Sequence, residues 1–175
     1  LFAPVISPIN DAGYLRALAR GAEERGFHGI WLGEHVVLFD QYEAHYPYQD
    51  DGRIPVGVEN GLLEPITALS YMAAVTERIR LGTGICLVPQ RNPVYTAKEI
   101  AAVDYLSDGR VDFGVGVGWL KEEFDALQVP FERRGARTSD YIKVMQALWT
   151  MEKPLHEGEF YKLPACTQSP KPVQK

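Results

Sequence analysis

Cysteine is scarce in this chain: two residues, Cys86 and Cys166, among 175. Two thiols build no disulfide framework and have no metal-ligand spacing, so a reducing, cytoplasmic setting is expected. No apolar run is long enough to cross a bilayer. Leu1 already lies within an apolar stretch without a signal-peptide pattern, and the native start is expected to precede it. Positive charge is not in excess either. The formal charge of −5 gives no general attraction to nucleic acid or to an anionic membrane. Arg133, Arg134 and Arg137 read as solvated side chains near a turn. Several catalytic signatures are missing as well. Strand one ends in Ile6-Ser7-Pro8 with no His-x-His, which argues against a metal hydrolase and leaves no metal ligands to name. There is no Gly-x-Ser-x-Gly elbow and no Walker loop. Gly114-Val115-Gly116-Val117-Gly118 is spaced GxGxG, with Trp119 where a dinucleotide fingerprint needs its last glycine.

What is present is a 46% hydrophobic chain able to bury a sizeable core as one domain. Its centre is 79–119. Ile79–Leu87 reads as a buried strand, Asn92-Pro93 as a helix start, Pro93–Leu106 as a helix with one apolar face, and Val111–Val117 as a second buried strand. Strand, helix and strand with short joints make a parallel βαβ unit. Before it, Phe2–Ile6 is expected as the first strand, and a helix capped by Asn10 or Asp11 buries Leu15, Leu18, Ala19 and Ala22. Gly29–Leu32 is the second strand, and Glu64-Pro65 opens a helix to about Thr76. After it come a short helix at Leu120–Leu127, a longer one at Arg137–Thr150, and a small hairpin around Glu157-Gly158. The segment 33–63 is long, polar and aromatic, and reads as a lid or rim insertion. The proline-rich 164–175 reads as a linker.

Four strands each followed by a helix are half of a (β/α)8 barrel, so the fold class expected is α/β. The whole of 1–175 is then the N-terminal half of a single barrel domain, supplying about its first four βα units. Glycines sit near the C-terminal ends of strands three and four, the end where parallel α/β folds bind ligands. Small residues often serve packing alone, but on two neighbouring strands they suggest a flat ligand lying on the backbone. Glu34-His35 follows strand two at the same end, where an imidazole can exchange a proton with a ligand.

At this point the motifs resemble a known family. Leu81-Gly-Thr-Gly-Ile85, Pro89-Gln-Arg-Asn-Pro93, Leu106-Ser-Asp-Gly-Arg110 and Gly114-Val-Gly-Val-Gly-Trp119 look like the luciferase-like monooxygenase superfamily. Within it, Glu34-His35-Val36-Val37 and His156-Glu-Gly-Glu-Phe-Tyr161 fit the branch of coenzyme F420-dependent oxidoreductases. The resemblance implies a TIM barrel that binds F420, or alternatively FMN, at the C-terminal strand ends. It implies a catalytic role for His35 and a cofactor-binding set of Glu34, His35, Gly84, Ile85, Gly116, Val117 and Gly118. It places a non-proline cis peptide at Gly84-Ile85. It implies hydride transfer to or from a small organic substrate, in a homodimer; the alternatives are an FMN-dependent monooxygenase and a non-catalytic cofactor-binding half-barrel. Two positions depart from the family pattern. Trp119 stands where some deazaflavin enzymes carry a proton-donating glutamate, and no arginine stands near Val117, where bacterial luciferase holds the flavin phosphate.

Overall fold

Helix boundaries follow the capping chemistry closely in the computed structural model, which describes residues 1–43, 45–55, 57 and 60–174. In α1 (Ala12–Glu24) the Asp11 carboxylate accepts the Tyr14 N–H at 2.8 Å. In α2 (Pro65–Val75) Glu64 accepts from Ile66 and Thr67. In α3 (Pro93–Leu106) Asn92 accepts from Val94 and Tyr95. Each cap satisfies first-turn N–H groups that a helix cannot pair internally, and a proline at the first helical position loses nothing there. Gly109, at φ +77°, follows the end of α3 in the left-handed region that favours glycine. Two further helices, α4 (Lys121–Ala126) and α5 (Arg134–Thr150), complete the set among the described residues.

The strands are shorter than expected. β1 (Gly29–Leu32) is the second strand as read from sequence. The run 79–87 is two strands, β2 (Arg80–Thr83) and β3 (Cys86–Leu87), parted at Gly84-Ile85. The run 111–117 likewise divides into β4 (Val111–Asp112) and β5 (Val115–Gly116). The breaks match. β2 pairs in parallel with β4, and β3 with β5, so both chains change direction together and the ladder resumes beyond the bend. Phe2–Ile6 forms no regular strand; a single parallel bridge from Phe2 to Trp31 places it beside β1. The order is therefore Phe2, β1, β2, β4, all parallel, in an open sheet. β6 (His156–Glu157) and β7 (Lys162–Leu163) make the antiparallel hairpin.

One core lies between this sheet and α1 and α2, where Leu15, Ala19, Ile30, Leu32, Leu69, Met72 and Leu81 are buried together. A second lies where α3 meets α5, around Cys86, Val88, Ala97, Val144, Met145 and Leu148. Arg110 is a buried cation whose guanidinium donates to the carbonyls of Ala73, Thr76, Ile79 and Ser107 (2.7–3.1 Å), tying the C-terminal end of α2 to the start of β4. The tail is not a free linker. The Val173 N–H donates to Asp104 Oδ2 at 2.7 Å, and the Gln174 amide bonds both Asp104 and the Val111 carbonyl. Residues 44, 56, 58 and 59 of the long loop, and 175 of the tail, lie outside the described residues.

Two glycines give opposite expectations. A Cβ on Gly114 would stand 2.2 Å from the Thr83 carbonyl oxygen, a backbone atom held in the bend, whereas one on Gly135, inside α5, meets nothing within 4 Å. Gly114→Ala is expected to cost about 1–3 kcal/mol through overpacking. Gly135→Ala is expected to stabilise by about 0.4–1 kcal/mol. Thermal melts followed by circular dichroism check both signs; equal shifts would contradict the packing described.

Candidate functional site

The C-terminal ends of the parallel strands carry three loops, and two buried carboxylates hold them together. The first is Glu34, just beyond β1 and only 6% exposed. Its Oε2 accepts the Leu87 N–H at 2.5 Å, and its Oε1 accepts from Arg91 Nε at 2.9 Å. Arg91 turns on to Glu64 as well, so the loops after β1 and β3 and the cap of α2 share one cation. A buried carboxylate is costly unless it is paired and hydrogen-bonded, and here it is both. Both oxygens of Glu34 are thus taken by protein donors, and the residue acts as a brace for the strand ends.

The second carboxylate, Glu123, was not read from the sequence. It lies in α4 and is 0% exposed. Its Oε1 accepts the Val36 N–H at 2.6 Å and, more weakly, that of Val37 at 3.4 Å. Its Oε2 accepts from Gln90 Nε2 at 3.0 Å and stands 3.3 Å from His35 Nδ1, an ion-pair distance rather than a well-aligned hydrogen bond. Burial works to raise the Glu123 pKa, but His35, Gln90 and the Val36 N–H together hold it below the ordinary carboxylate value. The clue in the sequence was slight: Lys121-Glu122-Glu123 reads as the solvated acidic first turn of a helix, a favourable place for negative charge.

His35 itself is half-buried. Its ring meets Trp119 edge to face at a centroid distance of 5.9 Å, and Trp119 meets Tyr42 and Tyr46. Trp119 is therefore part of an aromatic wall joining His35 to a cavity of about 990 Å³ lined by Tyr42, Arg53, Trp119, Glu122 and Phe131. None of the seven residues expected from sequence lines that cavity.

The Gly84-Ile85 peptide bond is cis, where the resemblance placed one. The glycines have internal partners. A Cβ on Gly82 would run into Trp31, one on Gly116 into the Ile85 side chain at 1.7 Å, and one on Gly118 into Phe124 at 2.9 Å. Gly118 also sits at φ +76°, where L side chains are strained. These absences of side chain serve the protein's own packing. The surface left at the strand ends is instead that of Ile85, 40% exposed, and Val117, 41% exposed. The structure thus puts His35, Ile85, Val117 and Gly118 at one end of the sheet, with Glu34 and Glu123 behind them. Such an arrangement can seat a flat, partly apolar ring on Ile85 and Val117 and offer its edge an imidazole.

Two measurements follow. Cys86 is buried, and burial together with the nearby Glu34 charge pushes its thiol well above the ordinary value, so it is a poor nucleophile. A thiol reagent is expected to modify one cysteine, Cys166, in the native protein and two after denaturation. For Glu123 the sign is fixed by its lowered pKa. The unfolded state binds the proton more tightly, so the stabilisation is complete above the ordinary carboxylate range and is lost as pH falls through the lower folded value. Glu99, raised chiefly by burial, acts in the opposite sense. Acid unfolding of Glu123→Gln is expected to show a shallower dependence on pH than the parent; identical slopes would contradict the assignment.

Known proteins resemble this chain in sequence and in fold. The family model described as luciferase-like monooxygenase matches residues 3–175. An uncharacterized protein of Mycobacterium tuberculosis is 39% identical over 158 residues, spanning 90% of this chain and 56% of its own length. The FMNH(2)-dependent dimethylsulfone monooxygenase of Pseudomonas putida is 29% identical over 168 residues, 94% of this chain and 41% of its own. The solved structure of the coenzyme F420 dependent tetrahydromethanopterin reductase of Methanopyrus kandleri superposes with a TM-score of 0.70 at 22% identity, covering 99% of this chain and 46% of that one. The chain spans about half the length of the curated relatives it matches. No helix among the described residues is long and apolar enough to cross a membrane. With a family model covering nearly all of it, the chain belongs to the luciferase-like monooxygenase family.

Proposed function

We propose that this chain forms the first four βα units of a luciferase-like (β/α)8 barrel, and that the complete enzyme moves a hydride between coenzyme F420 and a small organic substrate. One observation carries the reading: His35 stands at the strand ends with Nδ1 turned to a buried carboxylate, and Nε2 has no protein partner among the described residues. The residues fit a flat heterocycle. Ile85 and Val117 offer exposed apolar surface to its face, and the imidazole offers a polar group to its edge. When bound, a deazaflavin supplies the hydride chemistry. The protein's residues hold the ring, exclude water from it, and let His35 take or give a proton at Nε2. Glu34 contributes by fixing the loop that carries His35.

A second reading, an FMN-dependent monooxygenase, is favoured by the likeness to the FMNH(2)-dependent enzyme of Pseudomonas putida. Oxygen separates the two. A protein that continues through the remaining units is expected to bind F420 in a fluorescence titration and to turn over without oxygen, while residues 1–175 alone bind it weakly. His35→Ala is expected to lower kcat by about 10²–10⁴-fold, the usual weight of a general acid or base. Failure to bind F420, with oxygen-dependent turnover of FMNH(2), would replace the first reading by the second.

A further inference from the structure

Glu123 is fully buried among hydrogen-bond donors. Its four neighbours are the Val36 and Val37 N–H groups, the Gln90 amide and the His35 ring. An ionised carboxylate only accepts hydrogen bonds, so the ring nitrogen facing Oε2 must carry a proton for the contact to be favourable. A neutral imidazole has one N–H. If it lies on Nδ1, then Nε2 is left with a lone pair.

We propose that Glu123 is a positioning residue that holds neutral His35 in the Nδ1–H tautomer, so that Nε2 presents a lone pair to the strand-end mouth. The inference rests on the reading of His35 given above, but the tautomer is a property of the protein alone. Its chemical consequence is directional. His35 meets an incoming donor X–H as an acceptor: the proton passes to Nε2, the ring becomes imidazolium, X keeps the electron pair, and the Glu123 charge faces the new cation. A buried carboxylate behind a histidine does this work in other active sites by fixing ring orientation and tautomer.

The same packing says what Glu123→Gln would do. Oε1 must remain an oxygen, because two backbone N–H groups point at it. The new amide nitrogen therefore replaces Oε2 and donates toward His35 Nδ1. Gln90 can turn its amide to accept the second hydrogen, since its Oε1 is buried without a partner among the described residues. The proton of His35 then moves to Nε2.

The test is ¹⁵N spectroscopy of histidine-labelled protein at alkaline pH, with His35→Asn used to assign the His35 signals. In the parent, Nδ1 is expected in the protonated, pyrrole-type range and Nε2 in the unprotonated range; the reverse overturns the proposal without any variant. In folded Glu123→Gln the two are expected to exchange, and retention of the Nδ1 proton overturns the role given to Glu123. If Glu123→Gln does not fold, the parent spectrum decides. In the complete enzyme the exchange is expected to lower kcat by 10²-fold or more with cofactor affinity nearly unchanged. The expected tautomers with no turnover on either cofactor would defeat the functional reading and leave the tautomer assignment standing.

Discussion

The arrangement of this molecule depends on two carboxylates that are buried where strands end. Glu34 ties the loop beyond β1 to Leu87 and Arg91, and Glu123 ties that same loop to α4 and Gln90. Loops at strand ends would otherwise be held only by their flanking elements. Each carboxylate costs several kcal/mol of desolvation, which only a full set of charge-assisted hydrogen bonds can offset. The same bonds restrict His35, which lies between the two residues they anchor. Stability of the loops and presentation of the imidazole therefore have one physical source.

The bend in strands three and four has a different origin. Thr83 and Gly114 touch at backbone distance, and the Thr83 hydroxyl donates to the Gly114 carbonyl at 2.7 Å. Both chains turn there, so β3 and β5 continue as a separate short ladder toward the site. The glycines around this bend are spaces filled by Trp31, Ile85 and Phe124. A ring lying at the mouth would rest on side chains, chiefly Ile85 and Val117, and less on bare backbone.

Much of this was legible in the residues. Asp11, Glu64 and Asn92 cap helices as their chemistry demands, and α3 runs over Pro93–Leu106 as its apolar spacing indicates. The strand interruptions were legible in part: the resemblance placed a cis peptide at Gly84-Ile85, but the matching break in the run 111–117 is set by its partner strand and has no local signal of its own. Charge misled in a similar way. Glu123 and Arg110 are buried by tertiary contacts that a local pattern does not contain. Proline made the tail look like a linker, yet Asp104, itself buried in α3, accepts its N–H groups. Phe2–Ile6 pairs too briefly to register as a strand. His35 was singled out from its place after a strand, while Glu123, whose carboxylate stands 3.3 Å from its ring, was not.

On the proposed function, the strand ends that carry His35 receive the ring. A crystal structure of a chain that continues through the proposed remaining barrel units, grown with F420, tests this directly. A ring heteroatom is expected within hydrogen-bonding distance of His35 Nε2, roughly 2.7–3.2 Å, with one face of the ring against Ile85 or Val117. A ring seated among Tyr42, Arg53 and Phe131, with Nε2 left unengaged, would contradict it.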